Sequence, residues 1–315
     1  MEQLKTKEWL VVVNPNAGVG KGKKHWQKIS RLLEKYGFRY REAFTEKPLH
    51  AMQITIAKIQ EGYRRIIVVG GDGTLNEVVN GIFKQETTFP DNITLGMISV
   101  GTGNDWGRTF NIPLDYEKAI QVIQKEDTML QDAGLVNYYV SGCERTRYFI
   151  NMAGLGFDGL VAEKTNSDKQ KGRSNPLLYL KNLAASLFSY QSSNVKMVVD
   201  GREIQDKIFS IGIGIGQFNG GGMRQAPDAL PDDGLFDLVL IKHMSKWSVV
   251  ANVRRLYNGT IGQHKRVETL TAKVIQVESD PPVLLETDGE SMGQSPIEFR
   301  IIPKSIKVII NNTAD

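Results

Sequence analysis

The chain has 315 residues, 41% hydrophobic and 23% charged, with a formal net charge of +4 and a pI near 8.9. That length suits about two domains of ordinary globular composition, and no apolar run approaches the roughly 18 residues that a spanning helix requires. Cys143 is the single cysteine, which excludes an internal disulfide and suits a reducing compartment. The opening MEQLKTKEWLVVVN has too short an apolar run for a signal peptide and no small-residue cleavage site, so a cytoplasmic protein is expected. Mild basicity favours nucleotide phosphates or an anionic membrane surface without choosing between them.

Residues 1–134 alternate strand and helix patterns. LVVVN (10–14) reads as a buried parallel strand, HWQKISRLLEKYG (25–37) as a helix ending at Gly37, and FRYREAF (38–44) as a second strand. A helix from Leu49 to Gly62, a strand RRIIVVG (64–70), a helix TLNEVVNGIF (74–83) and a strand LGMISV (95–100) follow. Short Val- and Ile-rich runs separated by helices predict parallel strands covered on both faces, a doubly wound α/β nucleotide-binding domain. After about residue 135 the pattern changes to strands joined by turns. YYVSG, RYFINMAG, NVKMVVDGREI, IFSIGIGIG, LFDLVLIKH, LTAKVIQVE, PVLLETDGE and IEFRIIP predict an antiparallel β-sandwich or barrel over 135–302, interrupted by helical stretches near 157–190 and 245–258. SIKVII (305–310) again reads as a parallel strand, so residues 303–315 are expected to return to the first domain.

Three glycine-rich loops follow strands: NPNAGVGKGKK (14–24), GGDGTLNE (70–77) and GTGNDWGR (101–108). All three therefore fall on the C-terminal edge of the proposed sheet, where open α/β sheets bind ligands. Glycine permits close backbone approach and helix N-termini offer free N–H groups, so the three loops together read as a polyphosphate cradle. The first loop is not a Walker A motif, because Pro15 stands five before Gly20 and no Ser or Thr follows Lys21. Lys21, Lys23 and Lys24 either steer a nucleotide or cover a helix start. GLGFDG (154–159) matches G-x-G-x-x-G but lies in the β-rich half, and reads as a close-packing turn. Asp72 makes sense in a phosphate loop if a divalent cation sits between it and the phosphates; capping the following helix at Thr74 and Leu75 is the other reading. The four histidines are dispersed and support neither a histidine base nor a zinc site.

GGDGTLNE, with NPNAG upstream and GTGND downstream, resembles the diacylglycerol kinase catalytic domain, and is most similar to the soluble bacterial lipid kinases related to sphingosine and ceramide kinases. DAG (132–134), NMAGLGFDG (151–159), APDALPDDGLFDL (226–238) and ETDGE (286–290) follow in the order of that family. GGDGT alone is less specific, since NAD kinases carry it too. The resemblance implies an N-terminal α/β domain, a C-terminal β-sandwich and a cleft between them. It implies that ATP is held by Asn14, Pro15, Asn16, Ala17 and Gly18, by Thr45, by Gly71, Asp72, Gly73, Thr74, Leu75, Asn76 and Glu77, and by Thr102. Gly70, Gly101, Asn104 and Asp105, in the same glycine turns, are expected to line the ATP site as well.

Asp72 and Asp132 match the pair that organises a catalytic Mg2+ through water, while Asp233 and the carbonyls of Leu230 and Leu235 match a structural Mg2+ site. Asp288 matches the general base, with Glu290 beside it as support or rival. In an extended segment positions 288 and 290 would share a face; an exposed Asp-Gly turn is the bland alternative.

The implied activity is transfer of the ATP γ-phosphate to the hydroxyl of diacylglycerol or a related lipid, giving phosphatidic acid in phospholipid biosynthesis. An NAD kinase-like small-molecule kinase and a catalytically silent nucleotide- or lipid-binding regulator are the alternatives. A lipid substrate implies peripheral contact with the inner face of the membrane. Residues 164–190 offer a surface for it: Lys164, Lys169, Lys171 and Arg173 precede a stripe of Leu177, Leu180, Ala184, Leu187 and Phe188. A helix packed on its own domain explains the same stripe. No nucleic-acid partner is expected, and a homodimer is the one assembly entertained.

Overall fold

A computed structural model describes residues 5–170 and 176–312, the side chains of 169–170 and 176–182 excepted. Lys169, Lys171, Arg173, Leu177 and Leu180 of the candidate membrane stripe lie outside these descriptions. The chain divides into two compact units, residues 1–133 with 303–315, and residues 134–302.

The first unit is built on parallel strands β1 (Trp9–Val13), β2 (Tyr40–Phe44), β3 (Arg65–Gly70) and β4 (Thr94–Ser99), in the order β4-β3-β1-β2. β1 is buried along its whole length, which a strand covered by helices on both faces requires. The connecting helices are α1 (Ala17–Lys35), α2 (His50–Gln60) and α3 (Asp72–Lys84), with α4 (Asp105–Thr109) and α5 (Tyr116–Lys125) after β4. The start of α1 is irregular: Gly18, Val19 and Gly20 take φ of 60°, 60° and 81°, so the first glycine loop extends into the assigned helix. α5 is absent from the pattern-based reading. Asp115 caps it by accepting the Lys118 N–H, and it buries Ala119, Ile120, Val122 and Ile123. The chain's last strand pairs parallel with β4 at Lys307–Thr94 and Val308–Leu95.

β5 (Thr128–Val140) leads into the second unit, which adds β6 (Cys143–Phe149), β7 (Met152–Gly156), α6 (Phe157–Gln170), α7 (Pro176–Ser189), β8 (Ser193–Val199) and β9 (Arg202–Gly214). A small ribbon, β10 (Phe218–Asn219) with β11 (Met223–Arg224), and then β12 (Phe236–Lys242), α8 (Lys246–Tyr257), β13 (Val267–Ala272), β14 (Val274–Asp280), β15 (Leu284–Thr287) and β16 (Glu290–Ile309) complete it. The antiparallel pairings β9–β7–β15–β16–β14–β8–β9 close on themselves. Closure works because β9 and β16 are long and change neighbours partway, so this unit is barrel-like. NVKMVVDGREI forms the expected hairpin, with Asp200 and Gly201 at φ of 46° and 86° in its turn.

Period-two alternation sorts the side chains. Leu238 and Leu240 of β12 join a core with Phe149, Phe236 and Phe299, while Val239 and Ile241 face a second cluster with Met152, Phe157 and Phe209. Phe149 and Phe236 stack at 5.8 Å, and Phe149 meets Phe299 edge-on at 6.1 Å.

Candidate active site

In the first unit the three glycine loops leave neighbouring strands on one edge. The Asn14 N–H donates to the Val69 carbonyl, and the Val100 N–H to the Gly70 carbonyl, so each loop begins hydrogen-bonded to its neighbour. Asn14 Nδ2 donates to Thr74 Oγ1 at 2.9 Å and Asn14 Oδ1 accepts the Asn16 N–H at 3.0 Å, tying the first loop to the second. The second and third loops also meet backbone on backbone. A Cβ on Gly101 would lie 2.7 Å from the Gly71 Cα, and one on Gly18 would lie 2.0 Å from the Val100 carbonyl oxygen. These glycines are required by close approach, as phosphate-binding turns are.

Gly71 holds the N-cap position of α3, its carbonyl accepting the Leu75 N–H, and Asp72 is the first residue of the helix. The Asp72 carboxylate accepts the N–H groups of Asp105 and Trp106, both at 3.3 Å. Asp72 Oδ2 and Asp105 Oδ2 flank Gly103, at 2.9 and 3.5 Å from where its Cβ would stand. The Trp106 indole then donates to Gln131 Oε1 at 3.0 Å, linking Asp72 through α4 to β5. The neighbouring Asp132 is fully buried and accepts the Lys304 N–H at 2.6 Å. Asn104 Oδ1, in the same turn, is a buried acceptor with no hydrogen-bond donor among the described residues.

Other residues expected to hold ATP serve the framework through their side chains. Leu75 and Asn76 are buried, and Asn76 accepts from Asn80 within α3. Glu77 caps α2 from outside, accepting the N–H groups of Leu49 and Ala51 at 2.8 and 3.0 Å. Thr45 is buried at the C-terminal end of β2, its N–H on the Val13 carbonyl. Pro15 and Thr102 lie in the loops themselves, while Ala17 and Gly73 stand in the first turns of α1 and α3.

The second unit carries the ETDGE segment. Asp288 and Gly289 form the two-residue turn between β15 and β16, with φ of 48° and 81° and Thr287 paired to Glu290. The turn reading is therefore correct in backbone but wrong in exposure, since Asp288 is only 6% exposed. Its left-handed φ removes the extended-strand argument for Asp288 and Glu290 sharing a face. The Asp288 carboxylate is turned onto the β6–β7 junction. Oδ1 accepts the N–H groups of Asn151 and Met152, both at 3.1 Å, and Oδ2 that of Ile150 at 3.3 Å. Glu290 is half-buried at the start of β16.

Beside this turn stands Glu286, an acid that the sequence reading passes over. It is 2% exposed; Oε2 accepts the Gly289 N–H at 2.8 Å and Oε1 accepts from Asn219 Nδ2 at 3.1 Å. Burial first, then the Asp158 charge, push its carboxyl up to about 8. Asp158, itself raised by burial, accepts from Gln225 Nε2 and Ser210 Oγ, each at 2.7 Å. Gly154 makes room for both acids: its Cβ would lie 2.6 Å from Glu286 Oε1 and 2.8 Å from the Asp158 Cβ. Gly159 likewise approaches the Leu284 carbonyl, where a Cβ would lie at 2.3 Å. GLGFDG is thus a packing turn, as its position outside the α/β half suggested. Glu286 pairs with Gly154 across β15 and β7; the signal was an acid inside the apolar run PVLLETDGE.

The acidic loop before β12 holds Asp228, Asp232 and Asp233, and Asp237 follows as the second residue of β12. Asp233 Oδ1 accepts the Leu235 N–H at 2.9 Å, and Leu230 is exposed. Burial, then Asp233 and Asp228, raise the Asp237 carboxyl to about 6. Crowded carboxylates beside loop carbonyls are a donor set that suits a hard cation. Among the described residues no group of three or more His, Cys, Asp or Glu side chains is arranged to hold a metal alone. Loop carbonyls, water and substrate phosphates would have to complete either cation site.

Residues 8–136 match the model of the diacylglycerol kinase catalytic domain, and residues 151–310 that of the YegS C-terminal NAD kinase beta sandwich-like domain. The chain is 31% identical to a diacylglycerol kinase of Staphylococcus carnosus (strain TM300), over 95% of this chain and 93% of that one. It is 31% identical to a diacylglycerol kinase of Staphylococcus aureus (strain MRSA252), over 96% and 92%. A crystal structure of a diacylglycerol kinase from Bacillus anthracis str. Sterne superposes with a TM-score of 0.72, covering 98% of both chains at 23% identity. Yeast NADH kinase in complex with NADH has a TM-score of 0.54 at 11% identity, covering 97% of this chain and 84% of that one. These two structures speak to the fold alone.

Proposed function

Because the chain belongs to the diacylglycerol kinase family, we propose that it transfers the γ-phosphate of ATP to the free hydroxyl of diacylglycerol or a closely related lipid, with a divalent cation, Mg2+, as cofactor. The observation that carries this reading is the convergence of three glycine turns on one sheet edge around Asp72. Backbone N–H groups of the first and second loops meet the phosphates, and the glycines let them come close. Asp72 and Asp132 would hold the cation, which supplies charge neutralisation at the phosphates. Asp105 and Trp106 hold the Asp72 carboxylate by two N–H donors, so its position is set before nucleotide arrives.

In the second unit, Asp288 is the acid of the ETDGE turn fixed most firmly, and it takes the lipid hydroxyl proton in this reading, with Glu290 as its neighbour. Asp233 with the Leu230 and Leu235 carbonyls would hold the structural cation.

The test is labelled-phosphate transfer from ATP to a panel of diacylglycerol, ceramide, sphingosine and NAD(H). Label on diacylglycerol is expected, lost on the order of 100-fold or more in Asp72→Ala and Asp288→Asn. Label on NAD(H) alone would replace this reading with a small-molecule kinase. No label on any acceptor, with ATP still bound, would favour a nucleotide-binding regulator.

A further inference from the structure

Helix α8 has no fully buried residue. It rests on the second unit through Val249 and Leu256, which pack against the cluster of Met152, Phe157 and Phe209. The opposite face is apolar yet open to solvent: Trp247 is 75% exposed, Val250 47% and Tyr257 54%. Spacings of three, four and three residues place 247, 250, 254 and 257 on one stripe, with Arg254 inside it. Phe188, at the end of α7 and 56% exposed, extends the stripe; its ring meets Trp247 edge-on at 6.2 Å, and Lys246 Nζ donates to its carbonyl.

The segment that carries this stripe has charge of one sign. Residues 241–266 contain Lys242, Lys246, Arg254, Arg255, Lys265 and Arg266, and no Asp or Glu. Lys242 is engaged by Asp206 and Glu268, whereas Lys246, Arg254 and Arg255 make no salt bridge among the described residues. An indole, a phenol and aliphatic side chains framed by cations match the headgroup level of an anionic bilayer, where each cation adds on the order of a fewfold in affinity. A second copy of the same helix is a poor occupant, because it would set these cations against their own kind.

We propose that the exposed face of α8, together with Phe188, docks the protein on an anionic lipid bilayer. This rests on the reading of the chain as a lipid kinase only for its purpose; the surface itself is argued from exposure and charge. The rings enter the interface while Arg254 and Arg255 meet lipid phosphates, and the second unit is thereby held at the membrane.

The test is cosedimentation with phosphatidylglycerol and with phosphatidylcholine vesicles at low and high salt, for the wild type, Trp247→Ala/Tyr257→Ala and Arg254→Glu/Arg255→Glu. Salt-sensitive binding to phosphatidylglycerol is expected, weakened at least tenfold in either double variant with an unchanged thermal midpoint. Labelled-phosphate transfer to a detergent-dispersed short-chain diacylglycerol should stay at the wild-type rate in both, and fall only on vesicle-embedded substrate. Wild-type vesicle binding by both variants would overturn the proposal, as would no binding at low salt. Self-association abolished by Trp247→Ala/Tyr257→Ala, without vesicle binding, would reassign the face to a second copy. Vesicle binding with no lipid phosphorylated would leave the docking surface standing and remove the kinase reading.

Discussion

Glu286 couples a pH-dependent charge to the turn that carries Asp288. Its folded carboxyl is raised to about 8 from an ordinary 4.5 by burial and by Asp158. The native state therefore holds a proton that the unfolded chain releases above about 4.5. The sign follows: the stabilising contribution is fully present below about 4.5 and is lost as pH rises towards 8, at up to about 1.4 kcal/mol per pH unit. Glu286→Gln should flatten the fall in thermal midpoint between pH 5 and 8; an unchanged slope would remove Glu286 as its source. Gln offers one acceptor where Glu286 uses two, on Gly289 and Asn219, so a loss of roughly 1 kcal/mol at pH 5 is expected.

Asp288→Asn faces a related conflict. If its oxygen keeps the Asn151 and Met152 N–H groups, its amide confronts the Ile150 N–H. The variant should lose about 1–3 kcal/mol of stability yet still bind Mg–ATP, read as a ligand-induced rise in thermal midpoint. Loss of that rise would mean that the substitution damages more than phosphoryl transfer.

At the level of elements, the glycine turns join the sheet to its chemistry. Gly101→Ala would force a Cβ to within 2.7 Å of the Gly71 Cα, and neither atom belongs to a side chain that can swing aside. The loops must separate, so the KM for ATP should rise severalfold in steady-state assays while the lipid KM stays put. A proportional rise in both would show that the loop is not specific to nucleotide.

These turns were legible in the sequence because a strand, two or more glycines and a helix start follow one another within ten residues. α5 was legible too, with Asp115 before YEKAIQVIQK as a capping signal and Ala119, Ile120, Val122 and Ile123 as a helical apolar period, and the pattern reading passed over it. Glu286 and the inward rotation of Asp288 depend on partners more than 60 residues away, Gly154 and Asn219 for one and the 150–152 backbone for the other. No local pattern encodes such a pairing. The expected same-face geometry of Asp288 and Glu290 failed for a local reason: a left-handed turn residue resets the strand alternation.

For the whole molecule, the decisive fact is that the first unit is discontinuous. Its sheet is completed by residues that follow the entire second unit, with Lys307 and Val308 beside Thr94 and Leu95 of β4. Ile306, Val308 and Ile309 are all buried there. At about 1.5–3 kcal/mol for each buried aliphatic side chain, their removal would cost roughly 5–9 kcal/mol, comparable to the entire stability of a typical domain. It would also leave the β4 edge unpaired and apolar, which invites aggregation. A chain ending at Ile302 should therefore lose Mg–ATP binding and the cooperative unfolding of the first unit. A peptide of residues 303–312 added in excess should restore part of both, since binding to the folded form alone shifts the equilibrium towards it. Full ATP binding by the shortened chain, with an unchanged thermal midpoint, would show that β4 tolerates an open edge and that the returning strand is ornamental to the nucleotide site.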